Sequence, residues 1–158
     1  MHKICAFFGH RDTPAGSTLE TLLETTIRNL IDQGTNEFWV GNEGNFDRLA
    51  QIVLYRLKQE YKSRIYLCYI SAYNPDKFSA TRRKWLEQHY ELEYPFEVAG
   101  VPPKFAIEQR NKYISDNADI FICFIINSYG GAYKAMQRAQ KNGKVIINLA
   151  ETFNLKQI

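Results

Sequence analysis

Uninterrupted runs of apolar residues recur along the chain and are separated by segments with helical periodicity. The longest run, Ile120 to Ile126, has no polar residue, which is typical of a strand buried on both faces of a parallel sheet. Shorter runs cover Lys3 to Phe8, Glu37 to Val40, Arg64 to Ile70 and Lys144 to Leu149. Between them, apolar residues recur every three or four positions, as on amphipathic helices. The pattern therefore predicts alternating strands and helices.

This alternation predicts an α/β fold, in which a doubly wound parallel sheet of about five strands has helices on both faces. Short right-handed connections favour the strand order 3-2-1-4-5. Residues 1–158 are expected to form one domain, since the length is ordinary for one and no linker interrupts the chain. Residues 77–103 contain one predicted helix and then proline-rich irregular chain, and we interpret them as a less regular insertion.

Loops that contain glycine follow the first, second and fourth predicted strands. In a doubly wound sheet these loops meet at the carboxyl edge, where ligands bind. A glycine turn that leads into a helix presents backbone N–H groups to an anion such as a phosphate. The candidate ligand-binding residues in these loops are Gly9, His10, Arg11, Gly41, Glu43, Gly44, Asn127, Ser128, Tyr129, Gly130 and Gly131.

Arg110 is predicted to face inward from the helix that precedes the fourth strand, because apolar residues lie one turn before and one turn after it. A buried charge needs a partner. The partner is either the phosphate of a ligand or the carboxylate of Asp116 or Asp119 in a structural ion pair. The spacing leaves both alternatives open.

Two acidic residues, Glu43 and Asp47, lie beside the glycines of the second loop. Asp47 in the first turn of a helix interacts favourably with the helix dipole. The alternative, which we favour for the pair, is that both carboxylates accept hydrogen bonds from sugar hydroxyls. His10 has two comparable interpretations, as a ligand contact or as a hydrogen-bonded turn residue.

Composition narrows the classes of partner. The net charge is +3 and no basic run is interleaved with aromatic residues, so nucleic acid is not expected as a partner. Three cysteines share no metal-ligand spacing and are predicted to be buried, reduced thiols. Neither a metal nor a cofactor is therefore expected. No signal peptide or membrane-spanning run is evident, which predicts a cytoplasmic protein without membrane contact.

The chain is rich in aromatic residues, with ten Tyr and ten Phe. Tyr90, Tyr94 and Phe96 lie in the irregular insertion, where a monomer is expected to offer little core to bury them. Exposed aromatic patches favour self-association. We therefore expect a homo-oligomer.

Three segments resemble one known group of proteins. FFGHRDTP, VGNEGNFDRLA and RNKYISDNADIFICFIINSYGGAYKA are similar to motifs of the SLOG superfamily, particularly its bacterial and prophage branch. The superfamily includes DNA-processing protein A and the lonely-guy phosphoribohydrolases. The resemblance covers nearly the whole chain outside residues 77–103. It implies a Rossmann-like fold that binds nucleotides or molecules derived from them.

The same resemblance bears on catalysis. Arg110 and Asn111 match an Arg-Lys pair of the phosphoribohydrolases, which implies that Arg110 contacts the nucleotide and assists departure of the base. The position of their catalytic Glu is occupied by Ala135. Hydrolysis of a glycosidic bond needs a carboxylate. Three acids could substitute, namely Glu43, Asp47 and Glu108, but no spacing favours any of them.

We therefore predict that the protein binds a small nucleotide or nucleotide-derived molecule and senses, carries or sequesters it. The alanine at position 135 favours binding over catalysis and leaves enzymatic activity open. One alternative is an N-glycosidase, phosphoribohydrolase or deoxyribosyltransferase that acts on nucleotides. A second alternative is an interaction protein whose pocket is vestigial.

Overall fold

A computed structural model describes residues 2–14, 16–41 and 44–157. Within these residues, six strands form one sheet in the order β4-β3-β2-β1-β5-β6. Every pair of neighbouring strands is parallel. The predicted order of five strands is confirmed, and a sixth strand extends one edge. The strands are β1 (Ile4–Gly9), β2 (Glu37–Val40), β3 (Tyr66–Ile70), β4 (Glu91–Glu93), β5 (Ile120–Phe124) and β6 (Val145–Asn148).

Helices connect successive strands and cover both faces of the sheet, which confirms the Rossmann-like α/β prediction. Single 3-10 turns at Lys62–Arg64 and Pro75–Lys77 accompany them. The last helix was not predicted, because the tail has a polar composition. The helices are α1 (Ser17–Asp32), α2 (Asn45–Tyr61), α3 (Ala80–His89), α4 (Pro103–Asn117), α5 (Gly131–Lys141) and α6 (Leu149–Gln157).

Two apolar clusters lie on opposite faces of the sheet because side chains alternate along each strand. On one face, Phe38 of β2 packs in a cluster with residues of α1 and α2 such as Leu23 and Leu54. On the other face, the neighbouring Trp39 belongs to a cluster with residues of α4 and α5. Both layers are thus fixed to the same central strands, which position the loops at the carboxyl edge.

Strand β4 corrects the prediction of irregular chain after the helix in residues 77–103. Its sequence is Glu-Leu-Glu, and it is held by pairing of Glu91 with Cys68 and of Glu93 with Ile70 of β3. Two acids around one leucine provide no local signal for a strand. Tyr90, for which the sequence predicts little core, is also buried, and its ring lies beside those of Tyr69 and Trp85. Phe96 is exposed, and homo-oligomerisation stays a prediction.

All three cysteines are free and buried. Loss of hydration raises the pKa of Cys68 and of Cys123 to about 12, and the pKa of Cys5 further still. These thiols are therefore protonated at neutral pH and act as small apolar core residues. No helix in the described parts of the chain combines the length and apolar character that a membrane crossing requires.

We predict that Gly9→Ala destabilises the fold. A Cβ at Gly9 would lie 2.4 Å from the Cβ of Phe46, which is buried at the start of α2. Neither backbone can move without disturbing the sheet, so the free energy of unfolding should fall by about 1–3 kcal/mol. Denaturant titration measures this change. Gly16→Ala is the matched control, since nothing lies within 4 Å of its added Cβ; equal losses in both variants would contradict the packing explanation.

Glu93→Gln should stabilise the protein at neutral pH. Burial, followed by the nearby carboxylates Glu37 and Glu91, raises the pKa of Glu93 above its ordinary value of 4.5. A raised carboxyl pKa means that stability is lost as the pH rises from about 4.5 through the folded-state pKa. The amide of Gln carries no charge and removes this loss. The melting temperature of the variant should therefore exceed that of the wild type at pH 7 and be close to it below the ordinary carboxyl pKa. Exposed Glu151→Gln should show no such gain, and a similar gain there would refute this electrostatic account.

Candidate nucleotide site

A cavity of about 350 Å³ opens at the carboxyl edge of the sheet, between the ends of β1 and β5. Its position agrees with the topological switch point of a doubly wound sheet. The residues that line it come from loops far apart in sequence. Ten of the predicted ligand-binding residues are among them: Gly9, His10, Arg11, Asp47, Arg110, Asn111, Asn127, Tyr129, Gly130 and Gly131.

Three other candidates that the structure describes, Gly41, Gly44 and Ser128, do not line the cavity. Gly41 and Gly44 lie behind it, where each leaves room for another residue of the protein. A Cβ at Gly44 would lie 2.5 Å from the Cα of Arg11. Ser128 is exposed outside the lining. Glu43 lies outside the described residues.

Arg110 is the buried charge of the site, with 4% of its surface exposed. Its guanidinium lies directly against the backbone of Gly41, where a Cβ would be 2.3 Å from Nη1. Its Nη2 donates a hydrogen bond to Oδ1 of Asn111 at 3.1 Å. The prediction that Arg110 faces inward is thus confirmed, and the glycine at position 41 is explained by this close approach.

The two carboxylates proposed as structural partners of Arg110 have other hydrogen-bond donors. Asp116 accepts two hydrogen bonds from Arg138, at 2.7 Å and 2.9 Å. Bonding to that guanidinium lowers the pKa of Asp116. Asp119 accepts a hydrogen bond from the backbone N–H of Ile4 at 2.9 Å. These contacts hold both acids at the opposite, amino edge of the sheet, where Ile4 begins β1 and Asp119 precedes β5.

His10 ties the first loop to the fourth. Its Nε2 accepts hydrogen bonds from the backbone N–H groups of Ile126 and Asn127, both at 3.1 Å. Since both partners are donors, Nε2 carries no proton in this arrangement and the ring proton lies on Nδ1. The imidazole therefore supports the cavity wall, which favours the structural interpretation of this residue.

The first loop is also fixed to the start of α2. The backbone N–H of Asn45 donates to the carbonyl of Arg11 at 3.0 Å, and its side-chain amide donates to the carbonyl of Thr13 at 3.3 Å. Thr13 is buried, and its hydroxyl donates to the carbonyl of His10. The wall of the cavity is consequently held in place by hydrogen bonds from two sides.

Helix α5 begins at the cavity with two glycines. Gly130 caps the helix with φ of +95° and ψ of 170°, a conformation that is essentially restricted to glycine. Gly131 is the first helical residue, and both glycines line the cavity. The N-terminus of a helix carries unsatisfied N–H groups and a partial positive charge, which suit an anion.

Sequence reasoning missed Asp12, whose position lines the cavity beside Arg11. With Asp47 it places two carboxylates among the lining residues, opposite in charge to Arg11 and Arg110. A signal was available, because Asp12 continues the same polar turn as His10 and Arg11. Apolar residues complete the lining, namely Phe7, Phe8, Ile107 and Ala132.

The position expected for a catalytic Glu is Ala135, which is buried in α5. Its carbonyl accepts a hydrogen bond from the hydroxyl of Ser115 at 2.9 Å. Glu108 does not line the cavity and instead lies 3.7 Å from Lys112 on the exposed side of α4. Among the described substitutes suggested by the sequence, Asp47 alone lines the cavity.

Comparisons with known proteins identify similar structures. No protein-family model matches the chain, and no curated protein matches its sequence. A crystal structure of DNA processing protein A from Streptococcus pneumoniae is similar, with a TM-score of 0.65 and 17% identity over 92% of this chain. DNA processing protein A from Helicobacter pylori is also similar, with a TM-score of 0.62 and 19% identity over 91% of this chain. The chain spans 49% and 63% of those two proteins, respectively.

The Helicobacter pylori structure is described as showing a unique single-stranded DNA binding mode. This finding overturns the expectation that nucleic acid is an unlikely partner, because a protein with a similar fold is described as binding single-stranded DNA. Charge summed over a whole chain says little about the charge at one edge of a sheet. The chain shares a Rossmann-like fold with part of these two structures of DNA processing protein A.

Proposed function

We propose that the cavity at the carboxyl edge binds a nucleotide, with the phosphate held between Arg110 and the N-terminus of α5. The observation that carries the proposal is a buried guanidinium that lines the same cavity as Gly130 and Gly131. A guanidinium binds a phosphate through two parallel hydrogen bonds, and the helix N-terminus adds backbone donors. The two elements supply complementary contacts to one anion.

The rest of the lining suits the sugar and the base. The carboxylate of Asp47 can accept hydrogen bonds from sugar hydroxyls, as its position beside the second loop indicates. Tyr129 has 70% of its surface exposed at the rim and offers a ring on which a base can stack. A volume of about 350 Å³ lies within the range of small-molecule sites, roughly 300–1,000 Å³.

The nucleotide can be free or can be one unit of a single strand. For a free nucleotide, sensing, carrying or sequestering the molecule is the role we propose. The likeness to a protein described as binding single-stranded DNA supports a strand as the second source. Both sources present the same phosphate to Arg110, so binding assays should include nucleotides and oligonucleotides.

Arg110→Ala should weaken nucleotide binding. Loss of charge-assisted hydrogen bonds typically costs about 1.5–3 kcal/mol, which corresponds to roughly a ten- to hundredfold rise in Kd. Titration calorimetry and thermal shift against nucleoside monophosphates and a single-stranded oligonucleotide measure the effect. A ligand at 100 times its Kd should stabilise the wild type by about 2.7 kcal/mol, so binding is easily detected.

Arg83→Ala is the matched control, because Arg83 pairs with Asp76 and Glu87 on the surface of α3, away from the cavity. It should leave Kd unchanged. Arg110→Lys separates charge from geometry, since an ammonium cannot reproduce the paired hydrogen bonds. If Arg110→Ala lowers the melting temperature but retains wild-type affinity, Arg110 has a structural role and the proposal fails. If the wild type binds no nucleotide, the result favours the alternative of an interaction protein whose pocket is vestigial.

Hydrolysis of the N-glycosidic bond is a second candidate function. It is favoured by the presence of the carboxylates Asp12 and Asp47 among the residues that line the cavity with Arg110. One carboxylate could stabilise the cationic sugar or activate water, as the bond cleavage requires. The alanine at position 135 argues against the mechanism of the phosphoribohydrolases, so one of these aspartates would have to take over that role.

Release of free base from nucleoside monophosphates, followed by chromatography, distinguishes catalysis from binding. For the binding function we expect no turnover above the rate without protein. If turnover occurs, Asp47→Asn should reduce it by at least about a hundredfold, the usual range for loss of a general acid or base. Glu60→Gln, which removes an exposed carboxylate of α2 away from the cavity, serves as the control. Turnover that survives Asp12→Asn and Asp47→Asn alike would exclude both carboxylates as catalytic residues.

A further inference from the structure

A second cavity adjoins the nucleotide site, in the groove between α4 and α5. Its volume is also about 350 Å³. Ile107, Asn111 and Gly131 line both cavities. Because the two cavities share these residues, they lie side by side, and the three residues form the boundary between them.

The second cavity is basic. Lys112, Lys134 and Arg138 line it, together with one carboxylate, that of Glu108. Arg138 is committed to Asp116 by two hydrogen bonds. Lys112 and Glu108 are 3.7 Å apart, with 45% and 63% of their side-chain surfaces exposed, so the attraction between the two charges is weak.

Lys134 makes no ion pair within the described residues. It lies one turn into α5, close to the helix N-terminus that serves the first cavity. Lys112 lies across the groove on α4. The two ammonium groups therefore belong to opposite walls of one cavity, where both can approach an anion that enters it.

Asn111 provides a polar link between the two cavities. Its Oδ1 accepts the hydrogen bond from Arg110, so the Nδ2 donor on the other side of the amide is directed away from Arg110. That Nδ2 atom lies near Gly131, at 3.8 Å from the position that a Cβ would occupy. A hydrogen-bond donor thus stands at the boundary that the ligand would cross.

We infer that the ligand carries a second phosphate, which joins a second nucleotide and is held by Lys112 and Lys134. The inference rests on the proposed function, since it assumes that the first phosphate is at Arg110. The phosphates of a nucleoside diphosphate share one oxygen and would remain together in the first cavity. Successive phosphates of a strand are separated by a sugar, which allows the second to reach the neighbouring cavity. The site therefore prefers a dinucleotide or longer strand to a mononucleotide.

The test compares the four deoxynucleoside 5′-monophosphates with their 5′-phosphorylated homodinucleotides. We expect the dinucleotide to bind roughly threefold to tenfold more tightly, as a partly exposed charge contact allows. The double variant Lys112→Gln/Lys134→Gln should abolish this advantage while leaving the affinity for the mononucleotide nearly unchanged. The slope of log affinity against log salt should also be steeper for the dinucleotide by about 0.7 for the added phosphate contact, and this difference should vanish in the variant.

Lys77→Gln/Lys84→Gln is the control, since it removes the same charge from exposed positions outside both cavities. It should retain the advantage of the dinucleotide. The second subsite is overturned if the wild type binds both ligands with equal affinity, or if the advantage of the dinucleotide survives in the Lys112→Gln/Lys134→Gln variant. In either case the proposed phosphate site at Arg110 still stands if mononucleotide binding depends on Arg110. Absence of binding by either ligand overturns both. A further gain with a longer oligonucleotide identifies the strand as the source, and equal affinity identifies a free dinucleotide.

Discussion

The close approach of a buried guanidinium to a glycine backbone is the contact on which the site depends. Arg110 can lie beneath the cavity only because position 41 lacks a side chain, and Gly41 is in turn held by a hydrogen bond from Gln51 to its carbonyl. Dehydrating a guanidinium is unfavourable unless hydrogen bonds and charges replace the lost water. The fold therefore maintains, at one edge of its sheet, a cation whose placement is set by the backbone.

Hydrogen bonds between loops make that edge rigid. His10 joins the loop after β1 to the loop after β5, and Asn45 joins it to the start of α2. The two loops and the start of α2 are separated by long stretches of sequence, yet these hydrogen bonds hold them together at one edge of the sheet. Preorganisation of this kind reduces the entropy that a ligand must remove when it binds. Part of the polar character of these loops is therefore structural, and the side chains left facing the cavity are fewer than the sequence suggests.

The sequence predicts the central sheet and the inward face of α4 well, because both are encoded by local periodicity. The run around Phe121 and the spacing around Arg110 each identify a buried surface without any knowledge of partners. The glycines are harder to interpret. The sequence pattern predicts that a ligand approaches the backbone at Gly9 and Gly41, whereas the nearest neighbours of these glycines are Phe46 and Arg110. Which residue packs against the backbone of a glycine depends on contacts between distant segments, and the local sequence does not contain that information.

The same limitation explains the missed edge strand, and that strand has a consequence for how copies of the protein can meet. An exposed strand edge is a template for pairing with another chain. One edge strand, β4, is only three residues long and places Glu91 and Glu93 on the same face. The other edge strand, β6, has four residues and follows Lys144. A second copy that aligned its own β4 with the β4 edge would bring like charges together. Pairing of the β4 edges of two copies into one continuous sheet is therefore disfavoured.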